Sequence, residues 1–242
     1  MKTILIYLML AIAATAAEHD IAAAPHHDHI AVNAESNLYT MAHEAYTNAV
    51  LWMPVARTNV EADAWLWDYS GGTNDGVAYG DASYATNAGG AFEFDGAGDY
   101  IDLVSINLGA THTISQWVFL NAFGGVSIGD AAQQVYAGWF KAADTLYYKA
   151  TRAVSVNPAM TTGTWHNIVF VRSGTSVDFY KDGSQIGTTQ TLSSDDDCLI
   201  TRIGTSSAIY FNGLMNSVEL FTNALSPAEV GLIYTNEVGR YP

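Results

Sequence analysis

The stretch FEFDGAGDYIDL, residues 92–103, sets Glu93, Asp95, Asp99 and Asp102 among aromatic and aliphatic side chains and breaks them with two glycines. Three kinds of chemistry suit it. Two carboxylates about 5 to 5.5 Å apart across a sugar bond make a retaining glycosidase, and Glu93 and Asp95, at i and i+2 of one strand, share a face. Several carboxylate oxygens close together suit Ca²⁺. An Asp beside Gly also makes a plain turn, its side chain accepting backbone N–H bonds two residues on.

Other donors stand outside this stretch. Asp195, Asp196 and Asp197 form a second oxygen-rich run, read here as a solvated loop. His26, His27 and His29, with His19 and His43 nearby, are imidazoles that suit a transition metal. Their Ala- and Pro-containing surroundings supply no rigid frame, so they read as a tail. If the ligand is a sugar, its apolar faces need rings to pack on. Trp65 and Trp67 in ADAWLWDYSGG, and Trp139, Tyr147 and Tyr148 on strands in mid-chain, are the candidates, with core packing the alternative for each. The lone Cys198, in the apolar run CLITRIG, reads as a buried inert thiol and excludes an internal disulfide framework. The chain has no phosphate-binding loop, dinucleotide fingerprint, Gly-x-Ser-x-Gly elbow or zinc-protease helix, which favours a non-enzyme.

The elements that must position these groups are strands. Charged residues are only 14% of the 242, while Gly, Tyr and Trp are plentiful, the palette of a β protein. Nine Lys+Arg against 24 Asp+Glu give a net charge of −15, which repels a phosphate backbone and argues against nucleic acid. Residues 1–17, MKTILIYLMLAIAATAA, have the apolar run and small-residue end of a secretory signal peptide. Residues 18–47 are rich in Ala and His and form a linker or pre-domain segment, with a short amphipathic helix after Ser36. From about residue 48 onward the chain alternates short strands with Gly, Asn and Asp clusters as a single domain, the pattern of an all-β sandwich. Strands are expected at 49–55, 76–80, 91–95, 99–103, 112–120, 134–140, 145–150, 165–172, 176–182, 199–204 and 213–221, with a hairpin at Ser173-Gly174-Thr175. The one well-signalled helix begins at Ser226-Pro227-Ala228-Glu229, a capping box with Pro at its first position, and runs to about Asn236.

Five pieces then match a known pattern in order. They are Asp68-Tyr69-Ser70-Gly71-Gly72 with Asn74 and Gly76; Phe94-Asp95-Gly96 through Asp99-Tyr100-Ile101; Thr113-Ile114-Ser115-Gln116-Trp117-Val118; Trp165-His166-Asn167-Ile168-Val169 through Phe179-Tyr180-Lys181-Asp182-Gly183; and Phe211-Asn212-Gly213-Leu214 through Leu225-Ser226-Pro227-Ala228-Glu229-Val230. The set resembles the laminin-G-like, concanavalin A-like jelly rolls of bacterial secreted proteins and some phage proteins. The resemblance implies two antiparallel sheets packed face to face with one short C-terminal helix, and a concave face and rim loops where ligands bind. Trp117, Ile168, Phe170 and Val218 fall on alternating positions that suit the core between the sheets. His166 matches a structural position of the pattern.

The resemblance also bears on the acids. The similar glucanases carry a second Glu three positions after their Asp, and here Gly98 stands in that place; Asp95 and Asp99 then read as braces of the Gly96-Ala97-Gly98 turn. Related jelly rolls hold a structural Ca²⁺ between the D-x-S-G loop and an Asp of the last strand. Asp68 matches the first position and Asn216 replaces the Asp at the second, so the implied calcium ligands are Asp68 and Asn216. The fold hosts many functions. The leading expectation is a secreted, non-catalytic module that recognises glycan or a cell-surface protein through Trp65, Trp67, Trp139, Tyr147 and Tyr148, with no membrane span in the mature chain. Two other classes stay open: a structural assembly protein that binds copies of itself, with residues 18–47 as an arm, and a glycoside hydrolase.

Overall fold

The computed structural model describes residues 49–53, 65–66, 68, 70, 73–85, 90–150 and 152–241. Residues 1–17, expected as a signal peptide, residues 18–47 with the expected helix and the histidines, and Trp67 lie outside the described residues. In chain order the strands are β1 (Ala49–Met53), β2 (Trp65–Leu66), β3 (Gly76–Tyr79), β4 (Ser83–Ala85), β5 (Ala91–Asp95), β6 (Tyr100–Asn107), β7 (Thr111–Leu120), β8 (Val126–Gly129) and β9 (Tyr136–Ala142). There follow β10 (Thr145–Lys149), β11 (Ala153–Val156), β12 (Trp165–Ser173), β13 (Ser176–Lys181), β14 (Ser184–Thr191), β15 (Leu199–Ile203), β16 (Thr205–Ser206), β17 (Ile209–Tyr210) and β18 (Asn212–Phe221). Helix α1 (Pro227–Glu237) and a 3-10 turn (Val238–Arg240) close the chain.

Two sheets result. One runs β14-β13-β12-β7-β18-β5-β4, with β1 also paired to β18; the other runs β11-β10-β9-β8-β15-β6-β3-β2, with the short β16–β17 pair joined to β8. Pairing is antiparallel apart from the single β17–β8 bridge. The sheets pack face to face over one apolar core. Ile114 and Val118 of β7, Ile168 and Phe170 of β12 and Val177 and Phe179 of β13 meet Ile101, Ile128, Phe140, Leu146 and Ile203 from the other sheet. Each such side chain contributes on the order of 1.5 to 3 kcal/mol by leaving water. The expected two-sheet sandwich with one C-terminal helix is therefore the observed architecture, and the hairpin at Gly174-Thr175 joins β12 to β13 as expected.

The C-terminal segment covers the middle of the first sheet's outer face, over β7, β12, β13 and β18, while β14 and the Glu93 and Asp95 side chains of β5 stay exposed. Leu225, Val230 and Ile233 cover Val169, Val171, Tyr180 and Phe221, and Tyr241 covers Trp117, Trp165 and Ala91. Trp117 is thus corrected from the place expected for it. It is buried, but under Tyr241 and outside the core between the sheets, because its neighbours Gln116 and Val118 frame the alternation: Gln116 pairs with inward-facing Ile168. Both faces of β12 are covered, which is why Trp165–Arg172 are all buried and why the strand reads as an apolar run with little alternation. Among the described residues no helix lies on the second sheet, and it is called the open sheet below.

Trp117 Nε1 donates to Glu237 Oε2 at 2.6 Å and Ser217 Oγ donates to Glu237 Oε1 at 2.8 Å, fastening the last turn of α1 to the sheet. Burial pushes the Glu237 carboxyl up, against the opposing pull of Ser217, Arg240 and Trp117. At the other end of α1, Ser226 Oγ accepts from Glu229 N at 3.3 Å and Glu229 Oε2 accepts from Ser226 N at 2.7 Å, the expected capping box. Ser226→Ala should lower the unfolding free energy by about 1 kcal/mol, read as a lower urea midpoint at unchanged slope; an unmoved midpoint would show that the cap contributes nothing.

Candidate ligand-binding face

The outer surface of the open sheet is set by a bulge. Gly138 has φ +100°, and a Cβ there would lie 2.2 Å from Ser127 Oγ, so the position requires glycine. The extra residue lets Ala137 and Phe140 both point into the core while Trp139 turns outward opposite Tyr147. The two rings lie 5.2 Å apart at 31°. Trp139 Nε1 donates to Gly124 O at 3.1 Å, which fixes the indole, and Tyr136 meets it edge-on at 5.7 Å. Trp139 and Tyr147 are half-buried. Lys141 Nζ stands 5.5 Å from the Trp139 ring and 5.9 Å from the Tyr147 ring. Lys149 Nζ lies over Tyr136 at 5.7 Å and donates to Gln133 O at 2.6 Å.

A second aromatic group shares this face. Tyr79 and Tyr100 stack at 5.0 Å and 8°, the Arg202 guanidinium lies 4.3 Å above Tyr100, and Arg202 Nε pairs with Asp102 Oδ1 at 3.3 Å. The register carries a row across the sheet, from Val77 to Asp102, Arg202, Gly129, Tyr136, Lys149 and Ala153. The three strand spacings from β9 to β6 separate the two groups by about 14 Å.

Of the expected ligand residues, the structure brings Trp139 and Tyr147 together. Trp65 belongs to β2 at the edge of the open sheet, its backbone opposite Val77. Tyr148 is corrected: it is 0% exposed in the core, out of reach of any ligand. Alternation along β10 decides this, since Leu146 and Tyr148 point inward and Tyr147 outward. The Tyr148 hydroxyl meets His112 Nε2 at 2.9 Å, and His112 Nδ1 donates to Gly109 O at 3.0 Å. Cys198 is buried, and burial lifts its thiol to about 12, so it is inert as expected. The residues not foreseen are Tyr136, Lys141, Lys149, Tyr79, Tyr100 and Arg202. Lys141 and Lys149 sit two positions after Trp139 and Tyr147, a period-2 signal that was there to be read.

The acids take other roles. Asp99, 1% exposed, accepts from Asp95 N at 2.9 Å and Asp81 N at 2.8 Å, and Asp95 Oδ1 accepts from Ala97 N at 2.6 Å. These bonds brace the turn as expected. Asp81, Asp95 and Asp99 bring carboxylate oxygens within 4.8 Å of one another, a grouping that needed Asp81 from the β3–β4 turn and so was not visible locally. Burial raises the Asp99 carboxyl, its largest influence. Asp68 Oδ1 accepts from Trp52 N at 3.0 Å and Ser70 N at 2.9 Å, and its Oδ2 from Asn74 N at 3.3 Å. Asn216 donates to Gly90 O and its Oδ1 accepts from Ser217 N at 2.6 Å. Asp68 and Asn216 thus each brace backbone, and no bond joins them. Asp195, Asp196 and Asp197 are exposed. His166 is held between Asp182 Oδ2 at 2.9 Å and Thr161 Oγ1 at 3.1 Å.

A family model, the concanavalin A-like lectin/glucanases superfamily, matches residues 95–231, more than half of the chain. The chain belongs to that superfamily. Among solved structures of similar fold is domain 4 of AbnA, a GH43 extracellular arabinanase from Geobacillus stearothermophilus, solved in complex with arabinotriose; it is 17% identical, with TM-score 0.58 over 77% of this chain and 99% of that one. The receptor-binding domain of botulinum neurotoxin C/D mosaic serotype is 14% identical, with TM-score 0.61 over 80% of this chain and 52% of that one. The binding domain of Paraclostridial Mosquitocidal Protein 1 is 14% identical, with TM-score 0.60 over 78% and 52%. This superfamily member therefore spans about half the length of the toxin domains. No curated protein matches it. No helix among the described residues is long and apolar enough to cross a membrane.

His112 supplies a pH test of the core beneath this face. Burial lowers its folded value from 6.5 to about 4, with Arg172 adding in the same direction. Between those values the unfolded chain binds the extra proton, so stability falls as pH drops from 6.5 toward 4, by about 3 kcal/mol at most. The lifted Glu237 and Asp99 carboxyls act in the opposite sense, so the comparison must be with a variant. The stability gap between wild type and His112→Gln should narrow across this window; a gap independent of pH would refute the buried neutral imidazole.

Proposed function

We propose that the chain is a secreted, non-catalytic glycan-binding module that holds oligosaccharide on the outer face of the open sheet. The observation that carries this is the Trp139–Tyr147 pair, two half-exposed rings fixed 5.2 Å apart on the face that no described helix covers. Sugar rings present apolar C–H faces, and a rigid aromatic platform stacks against them at little conformational cost. The arabinotriose complex of the arabinanase domain, and a botulinum neurotoxin type C structure whose cell entry depends on two ganglioside molecules, support carbohydrate recognition on similar sandwiches. The catalytic alternative has less support. Glu93 and Asp95 are exposed on β5, but Gly98, with φ +97°, offers no carboxylate.

Calcium in this proposal is structural and separate from the sugar. The acids that suit it stand at the β3–β4 and β5–β6 turns and in the Asp68 loop, on other elements than the β9–β10 pair that carries Trp139 and Tyr147. Trp139→Ala and Tyr147→Ala should each weaken binding to immobilised oligosaccharide on the order of ten-fold, about 1.4 kcal/mol, equally in Ca²⁺ and in EDTA and with unchanged circular dichroism. Variants that bind as wild type would remove the ligand from this face, and loss of binding in EDTA alone would move calcium into the site.

A further inference from the structure

We infer that the saccharide taken by this face is anionic, carrying carboxylate or sulfate groups, an inference that rests on the glycan-binding proposal and narrows it. The chain has 24 acidic and nine basic residues, so an exposed ammonium has many carboxylates to pair with. Lys141 pairs with none among the described residues; it is exposed and its Nζ stands over the Trp139 and Tyr147 rings. Lys149 flanks it over Tyr136, and exposed Arg152 follows in the β10–β11 connection. The other described cations are engaged or lie elsewhere. Arg172 is buried, Lys181 lies on β13 of the other sheet, Arg240 lies 3.8 Å from Glu237, and Arg202 pairs with Asp102.

The acids of the adjoining turns keep their charge but bond to local donors and to neither lysine. Asp144 Oδ1 accepts from Thr145 Oγ1 at 3.0 Å, and Asp130 Oδ1 accepts from Gln134 N at 2.8 Å and Val135 N at 3.1 Å. The Trp139–Tyr147 platform therefore carries an ammonium with no carboxylate partner among the described residues, and that ammonium complements an anion. Lys141 sharpens the choice. A neutral sugar stacking on the two rings displaces the ammonium and loses both cation–π contacts. An anionic sugar displaces it too, but receives it in a charge-assisted hydrogen bond at the rim of the stacked ring.

Binding of three tetrasaccharides, one uronate, one sulfated and one neutral, measured by calorimetry at low and high salt, tests this. Wild type should bind at least one acidic probe on the order of ten-fold more tightly than the neutral one, and high salt should erase the difference. Lys141→Gln should remove the preference while neutral binding persists, Lys141→Arg should restore it, and Trp139→Ala should weaken every probe. Which acidic probe wins distinguishes carboxylate from sulfate. Equal binding of acidic and neutral probes, indifferent to Lys141→Gln, overturns the anionic inference and leaves the glycan module standing. Binding of no saccharide by wild type overturns both.

Discussion

Glu237 is buried between Trp117 and Ser217, accepting a hydrogen bond from each, and the placing of the C-terminal cover on the sheet depends on those two bonds. A carboxyl taken out of water must be hydrogen-bonded or neutral, so the last turn of α1 has one seat on the sheet. With it seated, Tyr241 stacks on Trp117 at 4.1 Å and Val230 and Ile233 close over Val169 and Tyr180. The middle strands of the eight-stranded sheet then have apolar cover on both faces. The other sheet, with no described helix on it, presents the paired rings of Trp139 and Tyr147.

The open sheet uses its uncovered face for rings and cations together. Trp139, Tyr147 and Tyr136 are held by the Gly138 bulge, by the Gly124 carbonyl and by one another, so their arrangement exists before a ligand arrives. Pre-ordering of this kind lowers the cost of binding. Lys141 and Lys149 keep their stems along the sheet and their ammonium groups over ring faces, in a molecule whose net charge of −15 otherwise turns anions away. Tyr79, Tyr100 and Arg202 repeat the motif of ring and cation near the opposite edge, with Arg202 held by Asp102.

Much of this was legible in the residues. Period-2 runs, Gly-rich turns and the Ser226–Glu229 capping box marked most strands and the helix, and the ordered motifs pointed to the concanavalin A-like sandwich. β14, SQIGTTQT, carries no strand signal because as an edge strand it has little apolar face to show, and β8, VSIG, carries none because four residues after a Gly-rich turn are too short a pattern. The alternation of apolar residues alone places Trp117 on the wrong side, because strands covered on both faces offer two apolar faces to choose from. At the site, Trp139 and Tyr147 followed from residue type, whereas Tyr148 did not, although Thr145 and Lys149 on the Tyr147 side mark that side as the wet one. The Arg202–Asp102 and Arg202–Tyr100 contacts join positions about a hundred residues apart through the β15–β6 pairing, which no local pattern contains.

The most direct test of the whole account is an NMR map of the isotope-labelled protein titrated with oligosaccharide. It should show the Trp139 indole N–H and the amides of Lys141, Tyr147 and Lys149 moving together with the ligand, and the α1 and Trp117 signals unmoved. Shifts confined to α1, to the Asp95–Asp99 turn or to the loops around Asp68, with the Trp139 indole unchanged, would contradict it.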